Sequence, residues 1–181
     1  MPDRACGGRR HRTRPLDPIV QRAARVHNRG MHDDVGTAGY SGTPLAKKLG
    51  IADGDALAIV NDPGHARELL APLPPGVETH ADPGAADVIL YVTLGRAELA
   101  AHIDLLGQAI FPERSLWVAW PKWSSGVPTD MTEDVVREVA LPLGLVDNKV
   151  CAIDRTWSGL RLVWRKELRD RPAGEAPAPA G

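Results

Sequence analysis

The sequence predicts a three-layer α/β fold built on a mostly parallel sheet. Short apolar runs flanked by turn residues alternate with segments whose apolar residues recur at helical spacing. This alternation is typical of parallel strands joined by helices that cover both faces of the sheet. The last two strand-like runs are separated by a short turn, which predicts an antiparallel hairpin at one edge. With 181 residues, of which 43% are hydrophobic, the chain has material for one such domain.

Six apolar runs bounded by turn residues indicate the strands. They lie at residues 56–61, 77–81, 87–92, 115–120, 145–154 and 160–166. The run at 87–92 is the clearest of them, because its residues DVILYV are nearly all apolar. The last run alternates apolar and charged positions, which predicts one buried and one solvated face.

Helices are predicted before and between these strands. A short helix over 43–50 would have Thr43 as its N-cap, Pro44 in its first turn and Gly50 at its end. Residues 65–71 indicate a second short helix, which the following prolines end. We expect an amphipathic helix over 96–110, because its apolar side chains recur at helical spacing. These side chains are Leu99, Ile103, Leu106 and Ile110.

A further helix is predicted over 130–140. Asp130 would be its N-cap and Glu133, three residues on, would complete a capping box. The buried stripe of this helix would consist of Val135, Val136 and Val139. The resulting order of elements, with its final hairpin, predicts a Rossmann-like fold with methyltransferase-like topology over residues 37–168. That prediction concerns the fold and implies no chemistry.

The two ends of the chain differ from this domain. Residues 1–30 carry eight arginines and two aspartates, a balance of +6, whereas 31–181 carry a balance of −7. We expect 1–36 to be a disordered basic arm, read as a nucleic-acid tail, a transit peptide, or a translated leader before a true start at Met31. Residues 169–181 are expected to be a disordered tail.

Two stretches resemble a known family. GYSGTPLAKKLGI (39–51) and the segment 116–166, which includes WVAWPKWSSGVPTD, are similar to a small bacterial family described as domain of unknown function 3052. The resemblance covers about residues 38–167. It implies a Rossmann-like, cytoplasmic protein that begins near Met31, and it supplies neither an activity nor catalytic residues.

Motifs for cofactors, nucleophiles and metals are incomplete. The turn IVNDPGHARELL after the first predicted strand has one glycine, so the glycine-rich fingerprint of a dinucleotide site is missing, although Glu78 or Asp82 could meet a ribose. The sequence also lacks GxSxG and the P-loop pattern. The six histidines and two cysteines show no metal-ligand spacing. We therefore expect no cofactor and no metal, and the balance of motifs argues against an enzyme.

A candidate ligand site follows from the strand ends. Ligands of open α/β sheets bind beyond the carboxyl ends of the strands. We predict that those ends carry the ligand-binding residues, with a lysine charge and serine donors that suit an anion. The predicted residues are Asn61, Asp62, Thr93, Lys122, Ser124 and Ser125. The alternative is that Lys122 is a solvated lysine and Ser-Ser-Gly an ordinary turn.

Two tryptophans fall in predicted loops. Trp123 and Trp157 are therefore candidates for contact with a ligand ring or a partner protein. The alternative is that each covers an edge of the sheet.

Three functions remain open from the sequence. The leading prediction is a non-catalytic or regulatory cytoplasmic domain that binds a small anionic or nucleotide-like ligand. The first alternative is a methyltransferase-like enzyme that uses S-adenosylmethionine at the same strand ends. The second is a protein-interaction module or homodimer that uses Trp123, Trp157 and the edge hairpin. Nucleic acid is an expected partner only if the basic arm is native, and no membrane is expected.

Overall fold

A six-stranded sheet forms the centre of the part of the chain that the computed structural model describes, residues 42–170. Its strands are β1 (Ala56–Val60), β2 (Glu78–His80), β3 (Val88–Val92), β4 (Ser115–Pro121), β5 (Leu145–Ala152) and β6 (Trp157–Trp164). Their spatial order is β2-β1-β3-β4-β6-β5. The first four strands are parallel, and β6 runs antiparallel to both β4 and β5. The predicted mostly parallel sheet with a closing hairpin is confirmed.

Helices cover both faces of this sheet. They are α1 (Leu45–Leu49), α2 (Ala66–Leu70), α3 (Arg96–Ala109), α4 (Glu133–Ala140) and α5 (Lys166–Arg169). Apolar residues of α1 and α2 pack on one face, around the Trp117 ring. Those of α3, α4 and α5 pack on the other face, where Ile89 and Trp164 lie. The arrangement is the three-layer Rossmann-like architecture with methyltransferase-like topology that the sequence predicts.

The central strands are buried along their whole length. Every residue of β3 and of β4 is buried, because both strands have neighbours on each side and helices above and below. A strand covered on both faces has no solvated positions that would need polar residues, which is why these two read as nearly continuous apolar runs. The predicted buried face of α3 is confirmed, since all four of its apolar positions are buried.

The strand β6 departs from its predicted half-solvated pattern. Leu162 and Val163 point to opposite faces, and both are buried. The strand lies between β4 and β5 instead of at the edge, and Arg161, on the face predicted to be solvated, is partly buried. Edge position belongs to β5, whose Asn148, Lys149 and Val150 are exposed. The hairpin does close one end of the sheet, as predicted.

Two helices begin differently from the prediction. The N-cap of α1 is Pro44 and not Thr43, and no side chain caps this helix. The N-cap of α4 is Thr132, whose hydroxyl accepts a hydrogen bond from the Val135 amide. Asp130 instead accepts a hydrogen bond of 2.7 Å from the Arg96 amide at the start of α3. The capping residue was therefore assigned to the wrong helix.

The predicted end segments lie almost wholly outside the described residues. The basic arm at 1–36 is not among them, and neither is most of the tail predicted for 169–181. Helix α5, which spans Lys166–Arg169, crosses the boundary predicted between the domain and the tail. Within 42–170, no helix combines the length and the apolar character that crossing a membrane requires.

Candidate functional site

Two strand ends meet where the chain reverses its direction along the sheet. From β1 the chain moves outward to β2 and then crosses to β3 on the other side of β1. The connections that leave β1 and β3 therefore diverge, and ligands of open α/β sheets bind in the crevice that such a switch point leaves. Asn61 follows β1 and Thr93 follows β3. Both predicted residues lie at this switch point.

Glu98 joins these two residues. Its carboxylate accepts a hydrogen bond of 2.9 Å from Asn61 Nδ2 on one oxygen and one of 2.6 Å from Thr93 Oγ1 on the other. Glu98 lies in the first turn of α3, where the helix dipole favours a negative charge. Thr93 is only 2% exposed, so its hydroxyl needs an internal partner. The three residues form one polar cluster, which we call the switch-point cluster.

The turn between β1 and α2 is shaped by Asp62. Its Oδ1 accepts hydrogen bonds from the amides of Gly64 and Ala66, at 2.8 and 3.1 Å. These bonds occupy amide groups that a ligand at the start of α2 would otherwise use. Asn61 and Gly64 both have positive φ, at 58° and 103°. Asp62 therefore stabilises the turn through these two hydrogen bonds. The residues with positive φ, Asn61 and Gly64, lie on either side of it.

A second polar pair continues along α3. The Tyr91 hydroxyl lies 2.9 Å from His102 Nδ1 and donates to the Glu98 carbonyl at 3.3 Å. The two rings meet edge to face with centroids 5.9 Å apart. Burial of the phenol, with a smaller contribution from the nearby Glu98 charge, raises the pKa of Tyr91 well above its ordinary value. Tyr91 is therefore a neutral hydrogen-bonding group at physiological pH.

The predicted anion-binding loop after β4 is occupied by its own contacts. Lys122 Nζ donates to the Asp154 carbonyl at 2.6 Å, and its own carbonyl accepts a bond of 2.7 Å from Ser125 Oγ. Ser125 Oγ also accepts from the Val127 amide, while Ser124 is exposed. Of the three predicted donors in this loop, Lys122 thus fastens the end of β4 to the β5–β6 turn, and Ser125 closes the loop on itself.

Asp154 organises that turn. Its Oδ1 accepts hydrogen bonds from the Thr156 and Trp157 amides at 2.7 and 2.6 Å. Its other oxygen lies 3.6 Å from His65 Nε2, just before α2. The loops that follow β1, β4 and β5 are therefore connected on this side of the sheet.

The two loop tryptophans have opposite environments. Trp123 is 95% exposed, which keeps it available for contact with another molecule. Trp157 is 8% exposed and packs in the core beside α1 and α2. The expectation of a surface role for Trp157 is corrected: it is the first residue of β6, an interior strand, and its ring covers the sheet.

Two acidic residues near β2 were considered for a ribose: Glu78 begins the strand, and Asp82 follows it. Asp82 Oδ1 accepts a hydrogen bond of 2.9 Å from the Gly84 amide. The Glu78 side chain is 80% exposed and lies 3.7 Å from His80. Asp82 comes after the carboxyl end of β2, whereas Glu78 lies at its amino end, so the position of Asp82 suits a ligand at the switch point better. Among residues 42–170, no three His, Cys, Asp or Glu side chains group as metal ligands would.

Glu98 is the residue that the sequence analysis missed. Its position did carry a signal, because an acidic residue in the first turn of a helix that follows a buried strand lies close to the strand end. The partner Asn61 is 37 residues away in sequence. Only the adjacency of β1 and β3 brings the two together.

No family model matches the chain, so the resemblance to domain of unknown function 3052 stays a prediction. No curated protein matches it either.

Solved structures show a likeness to methyltransferases. A protein described as a type 11 methyltransferase from Sulfolobus solfataricus matches 67% of this chain and 90% of its own, with 14% identity and a TM-score of 0.49. Magnesium protoporphyrin IX methyltransferase from Synechocystis PCC 6803, with bound S-adenosylmethionine, matches 67% and 74%, with 13% identity and a TM-score of 0.41. The m1A22 tRNA methyltransferase of B. subtilis matches 67% and 64%, with 10% identity and a TM-score of 0.40.

At these identities the likeness concerns the fold, which the strand order and register establish on their own. It nevertheless corrects the leading functional prediction. All three of these solved structures are of methyltransferases, whereas the sequence favoured a non-catalytic or regulatory domain for a small anion. That prediction is wrong, and its alternative, a methyltransferase-like enzyme, takes its place as the hypothesis to test.

Proposed function

We propose that the protein is a methyltransferase-like enzyme that binds S-adenosylmethionine at the carboxyl ends of β1, β2 and β3. The observation that carries the proposal is the switch-point cluster of Asn61, Thr93 and Glu98. It places a carboxylate and two polar side chains at the crevice where ligands of such sheets bind. The sheet that holds this cluster has the methyltransferase-like topology described above, in which the antiparallel strand β6 lies between β4 and β5.

The backbone of the β1–α2 turn fits an adenosyl ligand despite its single glycine. Glycines in such turns let the backbone adopt positive φ and approach the ligand closely. Asn61 adopts that conformation here, and asparagine tolerates it better than most residues. A methyl group added to Gly64 would meet nothing within 4 Å among the described residues. Open space therefore lies against the backbone of this turn.

The charges of the site also fit. S-adenosylmethionine carries a sulfonium and an ammonium cation, and a carboxylate nearby favours both. Glu98 supplies that carboxylate, while Asp82, after β2, would accept hydrogen bonds from the ribose hydroxyls. Asp82 lies about 20 residues after the β1–α2 turn, which is the spacing usual for a ribose-binding acid.

We place the methyl acceptor over the end of β4. The cofactor supplies the methyl group, so the chain's own residues need only bind, orient and exclude water. Trp123 is 95% exposed there and Leu94, after the neighbouring β3, is half exposed. Lys122, Ser124 and Ser125 form the adjoining loop and remain proposed contacts. Trp123 would be the first contact of the acceptor.

The test is ligand binding by the full chain. We expect S-adenosylmethionine and S-adenosylhomocysteine to raise the unfolding midpoint by about 5–10 °C at 100 times the dissociation constant. Glu98→Gln keeps the size of the side chain but removes its charge, so affinity for S-adenosylmethionine should fall about tenfold or more. Asp104→Asn removes one charge from the exposed face of the same helix and serves as the matched control.

Two results would count against the proposal. If neither adenosyl compound shifts the midpoint or gives heat in calorimetry, the cofactor assignment fails. If both bind but Glu98→Gln and Asp104→Asn behave alike, the site lies elsewhere. If S-adenosylmethionine binds, an assay with a labelled methyl group distinguishes the two remaining possibilities. Transfer of the label to an acceptor indicates an enzyme, and its absence indicates a domain that only binds the cofactor.

The exposure of Trp123 favours a second candidate function. In this alternative the protein is an interaction module, and its partner is another protein or a second copy of the same chain. An exposed tryptophan is a common anchor of such surfaces. Light scattering on the wild type and on Trp123→Ser tests it. A dimer that Trp123→Ser converts to a monomer would support this candidate, and a wild-type monomer would exclude the homodimer.

A further inference from the structure

A cleft opens at the amino ends of the strands, opposite the switch-point cluster. Its volume is about 420 Å³, within the usual range for small-molecule sites. Asp55 and Asp87 lie immediately before β1 and β3, and Ser115 begins β4. Its charged lining residues are Asp55, Asp87, Glu113, Arg114 and Arg161. We call this the amino-end cleft.

Hydrogen bonds hold most charged groups of the amino-end cleft in place. Asp55 Oδ2 accepts from the Ala52 amide at 2.7 Å, and Asp87 Oδ2 accepts from the Ala56 amide at 2.9 Å. Arg114 donates to the Gly84 carbonyl at 2.9 Å and lies 3.7 Å from Asp87. These groups therefore form fixed walls, and Arg114 has its own partners.

Arg161 differs from the other charged residues of the cleft. It lies in β6 between Trp117 of β4 and Lys149 of β5. Its Nε is buried and has no hydrogen-bond partner among residues 42–170. No carboxylate in that part of the chain forms an ion pair with it either. Lys149 Nζ is directed away, to the Lys48 carbonyl at 2.6 Å.

The buried Nε–H of Arg161 without a partner is costly, because this donor has left water without a compensating acceptor. The acceptor that suits the Arg161 guanidinium best is a carboxylate, whose two oxygens match the planar fork of N–H donors. Residues 42–170 do not supply one to Arg161, since Asp55 and Asp87 are engaged with backbone amides. The cleft therefore presents a fixed cation to whatever enters it.

The walls restrict which anion can enter. Three acidic residues, Asp55, Asp87 and Glu113, line the cleft together with two arginines. A doubly charged anion such as phosphate would meet repulsion from these carboxylates. A ligand that carries both a carboxylate and a cationic amine matches both signs of charge. We propose that the amino-end cleft binds a free α-amino acid, with its carboxylate on Arg161 and its ammonium group toward the acidic wall.

The test uses the full chain and a panel of the common amino acids, acetate, methylamine and inorganic phosphate. We expect at least one amino acid to raise the unfolding midpoint and to shift the Arg161 Nε–H signal in NMR spectra. Arg161→Gln should weaken binding of that amino acid by about ten- to a hundredfold, the usual effect of losing a charge-assisted pair. Arg165→Gln removes an exposed arginine just beyond the same strand and is the control.

Glu113→Gln separates a zwitterion from a simple anion. Glu113 is exposed and borders the cleft, so its replacement should leave the fold intact. Binding of the amino acid should weaken, whereas binding of acetate should strengthen, because the removed charge attracts the ammonium group and repels a carboxylate.

Three results would overturn the proposal. They are the absence of any shift of the Arg161 signal across the panel, binding of phosphate in preference to every amino acid, and equal affinities of Arg161→Gln and Arg165→Gln for the amino acid. Because the NMR signal is read in the wild type, poor folding of Arg161→Gln leaves the test decisive. Glu98→Gln should bind the amino acid as the wild type does, which separates this cleft from the proposed cofactor site.

Discussion

A single carboxylate, that of Asp130, ties two neighbouring helices to each other. It precedes α4 by three residues, yet it accepts its hydrogen bond from the amide that opens α3, 34 positions earlier in the chain. Thr129 makes a parallel contact, since its hydroxyl donates to the Leu94 carbonyl at 2.7 Å. The segment before α4 is thus fastened to the start of α3, directly above the Thr93 end of the switch-point cluster.

Replacement of Asp130 should lower the free energy of unfolding by about as much as the loss of a helix N-cap does. We expect Asp130→Ala to lower the free energy of unfolding by about 1 kcal/mol, because the Arg96 amide loses its acceptor. Asp130→Asn retains an oxygen acceptor and should lose much less. Urea unfolding followed by circular dichroism measures both values. Equal losses for the two variants would mean that the charge of Asp130, and not its hydrogen bond, stabilises α3.

At the residue scale, the sequence located strand ends better than it located partners. Asn61 and Thr93 were predicted because each follows an apolar run, and both lie at the switch point. Lys122 was also found in this way, but its contact with the Asp154 carbonyl depends on β6 lying beside β4. Such contacts join residues more than 30 positions apart, and no local pattern contains them.

At the scale of elements, periodicity predicted helices and strands but not how completely they are covered. The alternation in β6 was taken to mean a solvated face, although on that face Val163 is buried and Arg161 is partly buried. Helix α4 shows the same effect more mildly. Val136 is fully buried, whereas Val135 and Val139 are partly buried at the margin of the core.

Val136 and Val139 should therefore respond differently to replacement by a charged residue. Because the sequence analysis places both Val136 and Val139 in the buried stripe of α4, it implies that aspartate at either position unfolds the domain. We now expect Val136→Asp to abolish the cooperative thermal transition, because burial of an unpaired carboxylate costs several kcal/mol against a total stability of about 5–15 kcal/mol. Val139→Asp should stay folded with a lower midpoint, because its side chain reaches solvent.

Thermal melts followed by near-ultraviolet circular dichroism distinguish these outcomes. Val136→Ala is the matched control, since it removes packing without adding a charge. A cooperative transition in Val136→Asp at the wild-type midpoint would show that the face of α4 that contacts the sheet has been assigned wrongly.

At the scale of the whole molecule, the order of elements was sufficient to predict the topology. Alternating strands and helices followed by a hairpin allow few arrangements, because parallel connections are right-handed and sequential strands tend to be neighbours. The opposite ends of the sheet could not be predicted equally well. The switch-point cluster follows strand ends that are visible in the sequence, whereas the amino-end cleft combines residues from five separate parts of the chain.

The same topology predicts how stability is distributed through the sheet. Strand β2 has three residues, pairs only with β1 and is largely exposed. Strands β3 and β4 pair on both sides and are buried throughout. Local openings expose the least-packed elements first. Amides of β2 should therefore exchange with solvent at least about a hundredfold faster than those of β3, which corresponds to an opening that costs roughly 3 kcal/mol less.

Native-state hydrogen exchange, read for each amide by NMR, measures this difference. Strand β1 is the internal control, because it pairs with β2 on one side and with β3 on the other. Its amides that bond to β3 should stay protected when β2 opens, since that ladder survives the loss of the edge strand. If β2 and β3 exchange at the same rate, the sheet opens as one cooperative unit. In that case the crevice between β1 and β3 owes its shape to the whole sheet, including the edge strand.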